Sequence, residues 1–306
     1  MKRLVTRSDF DGLVCAMLLK EMNIIDDIKF VHPKDVQDGK VELSENDITT
    51  NLPYDARVGL AFDHHESELT RINGDKSKWV IDPYAKSAAR VVYDYYGGKK
   101  TFKRISDELM DAVDKGDSAD FTIDEILNPS KWVLLNYVMD PRTGLGRFHD
   151  FRISNYDLMM ELIHECLTKN IDEVMALPDV KERTDLYFEQ ADLFKEQLKR
   201  ITKIHGKVAV IDLRNEEVIY AGNRFMVYAM FPETEISMHI AWGFKKQNTA
   251  VMIGKSIVNK NSKFDIGALC LSYGGGGHAN AGTCQLDNDI VDKEIPVIID
   301  KINGNK

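Results

Sequence analysis

The chain has 306 residues, about two domains at the usual length, and its 43% hydrophobic content is enough to bury a core in both. Its 40 basic residues against 49 acidic ones give a net charge of −9, and no Lys/Arg run is dense enough to grip a phosphate backbone. Duplex DNA held by general electrostatics is excluded, whereas a small anion held by a few local cations or metals is not.

The opening reads as a short apolar run, Leu4-Val5-Thr6, then a polar turn RSDFDG, then LVCAMLLKEM, whose continuous apolar residues suit a buried helix. The runs KFVHP, RVGLAF and WVID are strand-like, and a helical pattern SAARVVYDYY follows the last. Strands alternating with helices predict an α/β domain over 1–152 with a mostly parallel sheet flanked by helices. In such sheets the ligand site lies beyond the carboxyl ends of the strands, and Asp9, Asp11, Asp63, His64 and Asp82 each follow an apolar run. Residues 153–205 read as a helical connector. After Gly206 the β-like runs KVAVIDL, EVIYAG, EISMHIAWGF and TAVMIGKSI, followed by FDIGALCLSYGGGGHANAG, predict a smaller α+β domain over 206–306.

The four cysteines, Cys15, Cys166, Cys270 and Cys284, form no C-x-x-C pair, so neither a disulfide framework nor a zinc ribbon is indicated. A reducing, cytoplasmic setting is expected. The chain begins with charge and reaches an acid by Asp9, which leaves no room for a signal peptide, and no apolar run approaches ~18 residues, so no membrane is expected.

Four stretches carry candidate chemistry. In SDFDG, Asp9 and Asp11 lie two apart on a loop and can contact hard cations, although a helix-capping turn would use the same residues. In FDHH, adjacent histidines at a strand end face different ways, so one can ligate a metal while the other meets substrate or a carboxylate; a surface pair is the plainer reading. AVDKGDSADF offers Asp114 and Asp117 after a helical pattern. DPRTGLGRF places Arg142 and Arg147 among glycines, a turn before it is an anion contact. In YGGGGHANAG, Gly274 to Gly277 bear a high ordering cost, which suits backbone held close to an anion beside His278. Lys255 and Ser256 could add a charge and a hydroxyl to that anion.

Taken in order, SDFDG, DHH, AVDKGDSADF and GGGGH resemble the DHH-family phosphoesterases that carry a DHH-associated C-terminal domain, and the combination NLPY…GLAFDHH is most like the subgroup labelled exopolyphosphatase-related. The resemblance implies one or two manganese ions, with magnesium as the second choice, in an active site at the interdomain cleft. It implies Asp9, Asp11, His64 and Asp117 as metal ligands, Asp63 as the group that orients His64, and His65 facing the phosphate. Lys255, Ser256, Gly274, Gly275, Gly276, Gly277 and His278 would hold the substrate. The sequence departs from the family pattern twice: Val5 occupies a slot that is histidine in many members, and Asn51 aligns with a metal-bridging aspartate, with Asp47 and Asp82 as nearby replacements.

The expected activity is metal-dependent hydrolysis of a small phosphorylated substrate, a short oligoribonucleotide, dinucleotide or adenosine bisphosphate, by metal-activated water. Polyphosphate is the alternative substrate, and a non-catalytic nucleotide-binding protein with a degraded metal site is the alternative function. A homodimer is left open.

Overall fold

The computed structural model of the protein describes residues 2–65 and 77–304. Two compact units emerge, one made of 1–120 with 129–186 and the other of 121–128 with 187–306. The stretch 153–205 holds the helices α7 (Asn155–Thr168), α8 (Ile171–Met175) and α9 (Pro178–Ile201), but as a segment it is divided between the two units at Leu186 and Tyr187. No helix among the described residues is long and apolar enough to cross a membrane.

The first unit is built on five parallel strands in the order β2-β1-β3-β4-β5. These are β1 (Arg3–Arg7), β2 (Asp27–Val31), β3 (Asp47–Thr50), β4 (Leu60–Asp63) and β5 (Trp79–Ile81). The strand β3 sits at the centre of the sheet, yet DITT carries no apolar run that marks it as a strand. Its four residues are all buried, and Thr50 is satisfied sideways: it donates its hydroxyl to Thr6 Oγ1 at 2.7 Å, and Thr6 donates to the Thr50 carbonyl at 3.1 Å. Helix α1 (Phe10–Glu21) is buried along Phe10–Leu19, as its unbroken apolar text predicts. It leaves β1 at Gly12, where a Cβ would stand 2.0 Å from the Arg7 carbonyl oxygen, so only glycine lets helix and strand approach this closely. The same face receives α3 (Ala88–Tyr95), capped by Ser87, and α4 (Asp107–Asp117), capped by Ser106.

Parallel pairing aligns the strand ends. Thr6 is level with Thr50, Thr50 with Phe62, and Asp63 with Ile81, so the residues that follow β1, β3, β4 and β5 gather along one edge of the sheet.

The second unit carries a mixed six-stranded sheet in the order β10-β11-β9-β8-β7-β6. Its strands are β6 (Thr202–His205), β7 (Val208–Asp212), β8 (Ile236–Trp242), β9 (Thr249–Lys255), β10 (Gly276–His278) and β11 (Ala281–Leu286). Val210, Met238, Ile240, Val251 and Ile253 pack under α11 (Ile266–Ser272) and α12 (Val291–Asn303) through Cys270, Ile295 and Ile298. EVIYAG is not a strand, contrary to its β-like text. The Gln197 side chain takes the place of a neighbouring strand there, donating to the Val218 carbonyl at 2.7 Å and accepting from the Tyr220 amide at 3.1 Å. All four cysteines are buried and unbridged.

Candidate active site

The loop after β1 supplies two carboxylates with different duties. Asp9 is the N-cap of α1, accepting from the Gly12 amide at 3.0 Å, and its other oxygen lies 3.1 Å from Arg7 Nε. Asp11 lies in the first turn of α1, 2% exposed, with Oδ1 accepting from the Ala89 amide at 2.8 Å and Oδ2 from the Asn51 side-chain amide at 2.7 Å. Burial raises the pKa of both acids. For Asp11 the negative charges of Asp117 and Asp9 push it well above the ordinary carboxylate range, and for Asp9 the Arg7 charge opposes the rise.

At the end of β4, Asp63 Oδ1 accepts from the His64 amide at 2.8 Å and from the His65 ring Nδ1 at 2.7 Å. The ring that Asp63 orients is therefore that of His65. The ring of His64 is held instead through Nδ1 by the Ala85 carbonyl at 3.2 Å, which turns Nε2 towards Asp117 at 2.8 Å. The two imidazoles also do not face apart as strand alternation predicts. Both residues lie beyond the last strand residue, and their rings sit edge-on with centroids 4.5 Å apart. One ligand atom each from Asp63, His64 and His65 falls within 4.8 Å of the others.

Asp117 is the last residue of α4. Burial lowers the His64 pKa, but the adjoining Asp117 carboxylate, with the charges of Asp11 and Asp63, more than offsets this and raises it to about 9. Burial likewise pushes Asp117 up, and the His64 contact carries it back below its ordinary value.

Asp9, Asp11, His64 and Asp117 thus share one electrostatic site with Asp63 and His65. Asp47 does not join them: it stands at the opposite, amino-terminal end of β3, held by Arg3 at 2.7 Å and by the Ser44 amide. Asp82 is beside Asp63, but it is exposed and one of its oxygens accepts from the Tyr84 amide at 2.9 Å. Asn51 does join the site, at a left-handed φ of 53° that asparagine tolerates. Val5 packs with Val36, Val41 and Leu52 and offers no ligand.

Several contributors escape a reading of side-chain types. The Ala85 carbonyl and Ala89 amide are backbone groups with no signature in the sequence. Asp114 proves to be a brace: it accepts from Ser87 Oγ at 2.7 Å and from Arg90 through two nitrogens at 2.9 and 2.7 Å, which pins the start of α3 and with it the Ala89 amide. A serine directly before AARVV was the available signal, as an N-cap. Arg142 lies in a turn, paired with Asp140, and its charge is felt at Asp9 and Asp117. Arg147 closes the following 3-10 turn, after Gly144 at φ 84°.

In the second unit, β10 is an exposed strand of glycine and histidine that stands at the edge of the sheet among the described residues, paired with β11. Gly277 has φ 149°, and a Cβ there would meet the Ala281 carbonyl at 2.3 Å; Gly276 has open space. The His278 ring accepts from the Asn280 amide at 3.2 Å through Nδ1. Lys255 ends β9. Ser256 is not presented to solvent: it is 3% exposed and its hydroxyl oxygen caps a turn, accepting from the Val258 and Asn259 amides at 3.2 and 2.9 Å.

The donor set of the first unit fits a hard or borderline divalent cation. Four carboxylates, Asp9, Asp11, Asp63 and Asp117, and the imidazoles of His64 and His65 share this site, and the buried Asn51 Oδ1 has no hydrogen-bond partner among the described residues.

No family model matches the chain, and no curated protein matches it either. Among solved structures, the pGpG-specific phosphodiesterase PggH of Vibrio cholerae is 54% identical, with both chains covered in full and a TM-score of 0.86. A DHH domain from a family of ribosomal proteins shares the fold at 12% identity, covering 100% of this chain and 87% of that one, with a TM-score of 0.59. An exonuclease RecJ bound to manganese shares it at 14% identity, covering 100% of this chain and 91% of the other, with a TM-score of 0.50.

Proposed function

The chain belongs to the DHH-family phosphoesterases, and from that premise we propose that it is a divalent-metal-dependent phosphodiesterase whose substrate is a linear dinucleotide of the pGpG type. The observation that supports this most is the 54% identity over both full chains to an enzyme specific for pGpG, together with the grouping of Asp63, His64 and His65 and the electrostatic coupling of Asp9, Asp11, Asp117 and His64.

Asp9, Asp11, His64 and Asp117 are the proposed ligands, with Asp63 and the Asn51 carbonyl at the same centre, and manganese before magnesium suits this mixture of imidazole and carboxylate. A bound ion of this kind supplies a hydroxide-like water near neutral pH and offsets charge on the phosphate oxygens.

The chain's own groups then have separable tasks. The Ala85 carbonyl keeps His64 in the tautomer whose Nε2 faces the centre. The Ala89 amide and Asn51 fix both oxygens of Asp11. His65, oriented by Asp63 through Nδ1, turns Nε2 away from that carboxylate, and we assign this nitrogen to the phosphate and to protonation of the leaving oxygen. Gly274 to Gly277, His278 and Lys255 are the proposed grip on the substrate's other phosphate or nucleotide. Ser256, committed to its turn, is left out of that assignment.

The test is product release by the manganese-loaded protein from pGpG, longer oligoribonucleotides, adenosine bisphosphate and polyphosphate. Preference for the dinucleotide upholds the reading. Turnover of polyphosphate alone overturns it, and nucleotide binding without turnover converts the protein to a binding module.

A further inference from the structure

We propose that Tyr84 is the platform on which a nucleobase of the substrate stacks, which makes it a specificity-determining residue and ties the site to nucleotides over base-free phosphate chains. The proposal rests on the reading of the site as a nucleotide phosphodiesterase and goes on to name what it recognises.

Among the described residues Tyr84 is the most exposed large hydrophobic side chain, at 94%. An aromatic ring so fully in water forgoes the burial that normally justifies it. Its place in the chain is the second observation. The segment 82–89, between β5 and α3, is fastened to the catalytic cluster at three points: the Asp82 amide donates to the Asp63 carbonyl at 3.1 Å, the Ala85 carbonyl holds the His64 ring at 3.2 Å, and the Ala89 amide holds Asp11 at 2.8 Å. Tyr84 lies between the first two of these anchors, one Cα step of about 3.8 Å from Ala85.

The backbone that displays the ring is also fixed. Pro83 restricts its own φ, Asp82 Oδ1 accepts from the Tyr84 amide at 2.9 Å, and the Ala85 amide closes the turn on the Asp82 carbonyl at 3.1 Å. A ring on such a loop gives up little backbone freedom when a base covers it. Every base has a π-face, so stacking selects nucleotides as a class and leaves base identity to other contacts. Polyphosphate has nothing to stack.

The experiment compares the full-length, manganese-loaded wild type with Tyr84→Ala and Tyr84→Phe on pGpG and on an abasic dinucleotide of the same charge, reading KM and kcat separately. Manganese titration calorimetry on each variant serves as the check on the cluster. The expected result is a KM for pGpG raised about tenfold or more in Tyr84→Ala. Tyr84→Phe should stay near wild type, kcat and manganese affinity should be unchanged, and the abasic substrate should show no difference among the three. An unchanged KM for pGpG, or an equal loss on the abasic compound, overturns the proposal. If wild type hydrolyses no dinucleotide, the functional reading fails by itself. Calorimetric binding of pGpG to wild type and Tyr84→Ala still decides the role of the ring, equal affinities rejecting it.

Discussion

The Asn51 side-chain amide donates to the Asp11 carboxylate at 2.7 Å, so a neutral donor braces a buried acid of the cluster where a second carboxylate would repel it. The amide orientation is dictated by that contact, which leaves Oδ1 inside the site without a hydrogen-bond partner among the described residues. Asn51→Asp should therefore separate two properties. Metal-free protein should be less stable to urea, increasingly so as pH rises, because two carboxylates in contact away from water must share a proton or repel. Manganese should bind more tightly, because the added charge faces the cation. Equal stability of the two metal-free proteins would remove Asn51 from its bracing role.

The ion pair of His64 and Asp117 sets a pH dependence with a definite sign. The folded-state pKa of His64, about 9, lies above the ordinary 6.5, so the pair's stabilisation of the metal-free protein is fully present below about pH 6.5 and is lost as pH rises through 9. A cation that takes Nε2 must displace the proton held there. Manganese binding at pH 7.5 should release close to one proton from this ring, seen as a dependence of the calorimetric enthalpy on buffer ionisation. Affinity should climb with pH until about 9. His64→Asn should flatten both, and release of no proton by wild type would contradict the assignment.

Asp11 has the opposite relation to stability. Burial and the charges of Asp117 and Asp9 raise its pKa, so the folded metal-free state holds a proton there more firmly than the unfolded chain does. Its contribution is unfavourable at neutral pH and is relieved as pH falls towards the unfolded value. Asp11→Asn should raise the melting temperature of metal-free protein, since Asn51 can turn its amide to accept from the new side chain. The same change should abolish the extra stability that manganese gives wild type. A lowered melting temperature would mean that the carboxylate's two accepted hydrogen bonds outweigh its repulsion.

How far the sequence reveals this site depends on which atoms do the work. SDFDG and FDHH could be read because carboxylates and imidazoles after apolar runs announce a strand-end site, and the parallel register of β1, β3 and β4 places them along one edge. The central strand β3 is hidden because its polar text imitates a loop, while Thr50 is satisfied across the sheet by Thr6 of β1. The family resemblance assigns Asp63 to His64, but the chain leaves the strand directly after Asp63 and the carboxylate meets the His65 ring instead. Asp47 looked plausible by sequence distance alone. A strand has two ends, and only the direction of β3 puts Asp47 at the far one.

Asp114 acts on the site without touching the acids that converge there. It holds Ser87 and Arg90 at the start of α3, and the Ala89 amide between them grips Asp11. Asp114→Ala leaves Arg90 without its carboxylate and should cost about 3 kcal/mol of stability. It should also weaken manganese binding severalfold by loosening Asp11. Ser87→Ala removes only the cap and one contact, and about 1 kcal/mol is expected. Calorimetric titration beside urea unfolding checks both; full metal affinity in a destabilised Asp114→Ala protein would confine the residue to the fold.

The glycine-rich strand allows its folding role to be separated from its proposed binding role, since adjacent glycines meet different surroundings. At Gly277 the φ of 149° is closed to other residues and a Cβ would strike the Ala281 carbonyl at 2.3 Å, so Gly277→Ala should distort the β10–β11 pairing and lower the melting temperature. At Gly276 no atom lies within 4 Å of an added Cβ, and Gly276→Ala should leave the melting temperature within about 1 °C of wild type, as for surface changes away from special backbone. If the exposed backbone of β10 receives the substrate's phosphate, Gly276→Ala should nonetheless raise the KM for the dinucleotide, because the methyl group occupies the space the anion needs. A variant as stable and as active as wild type would show that the glycines serve only the hairpin, and the anion site would have to be sought at Lys255 and His278.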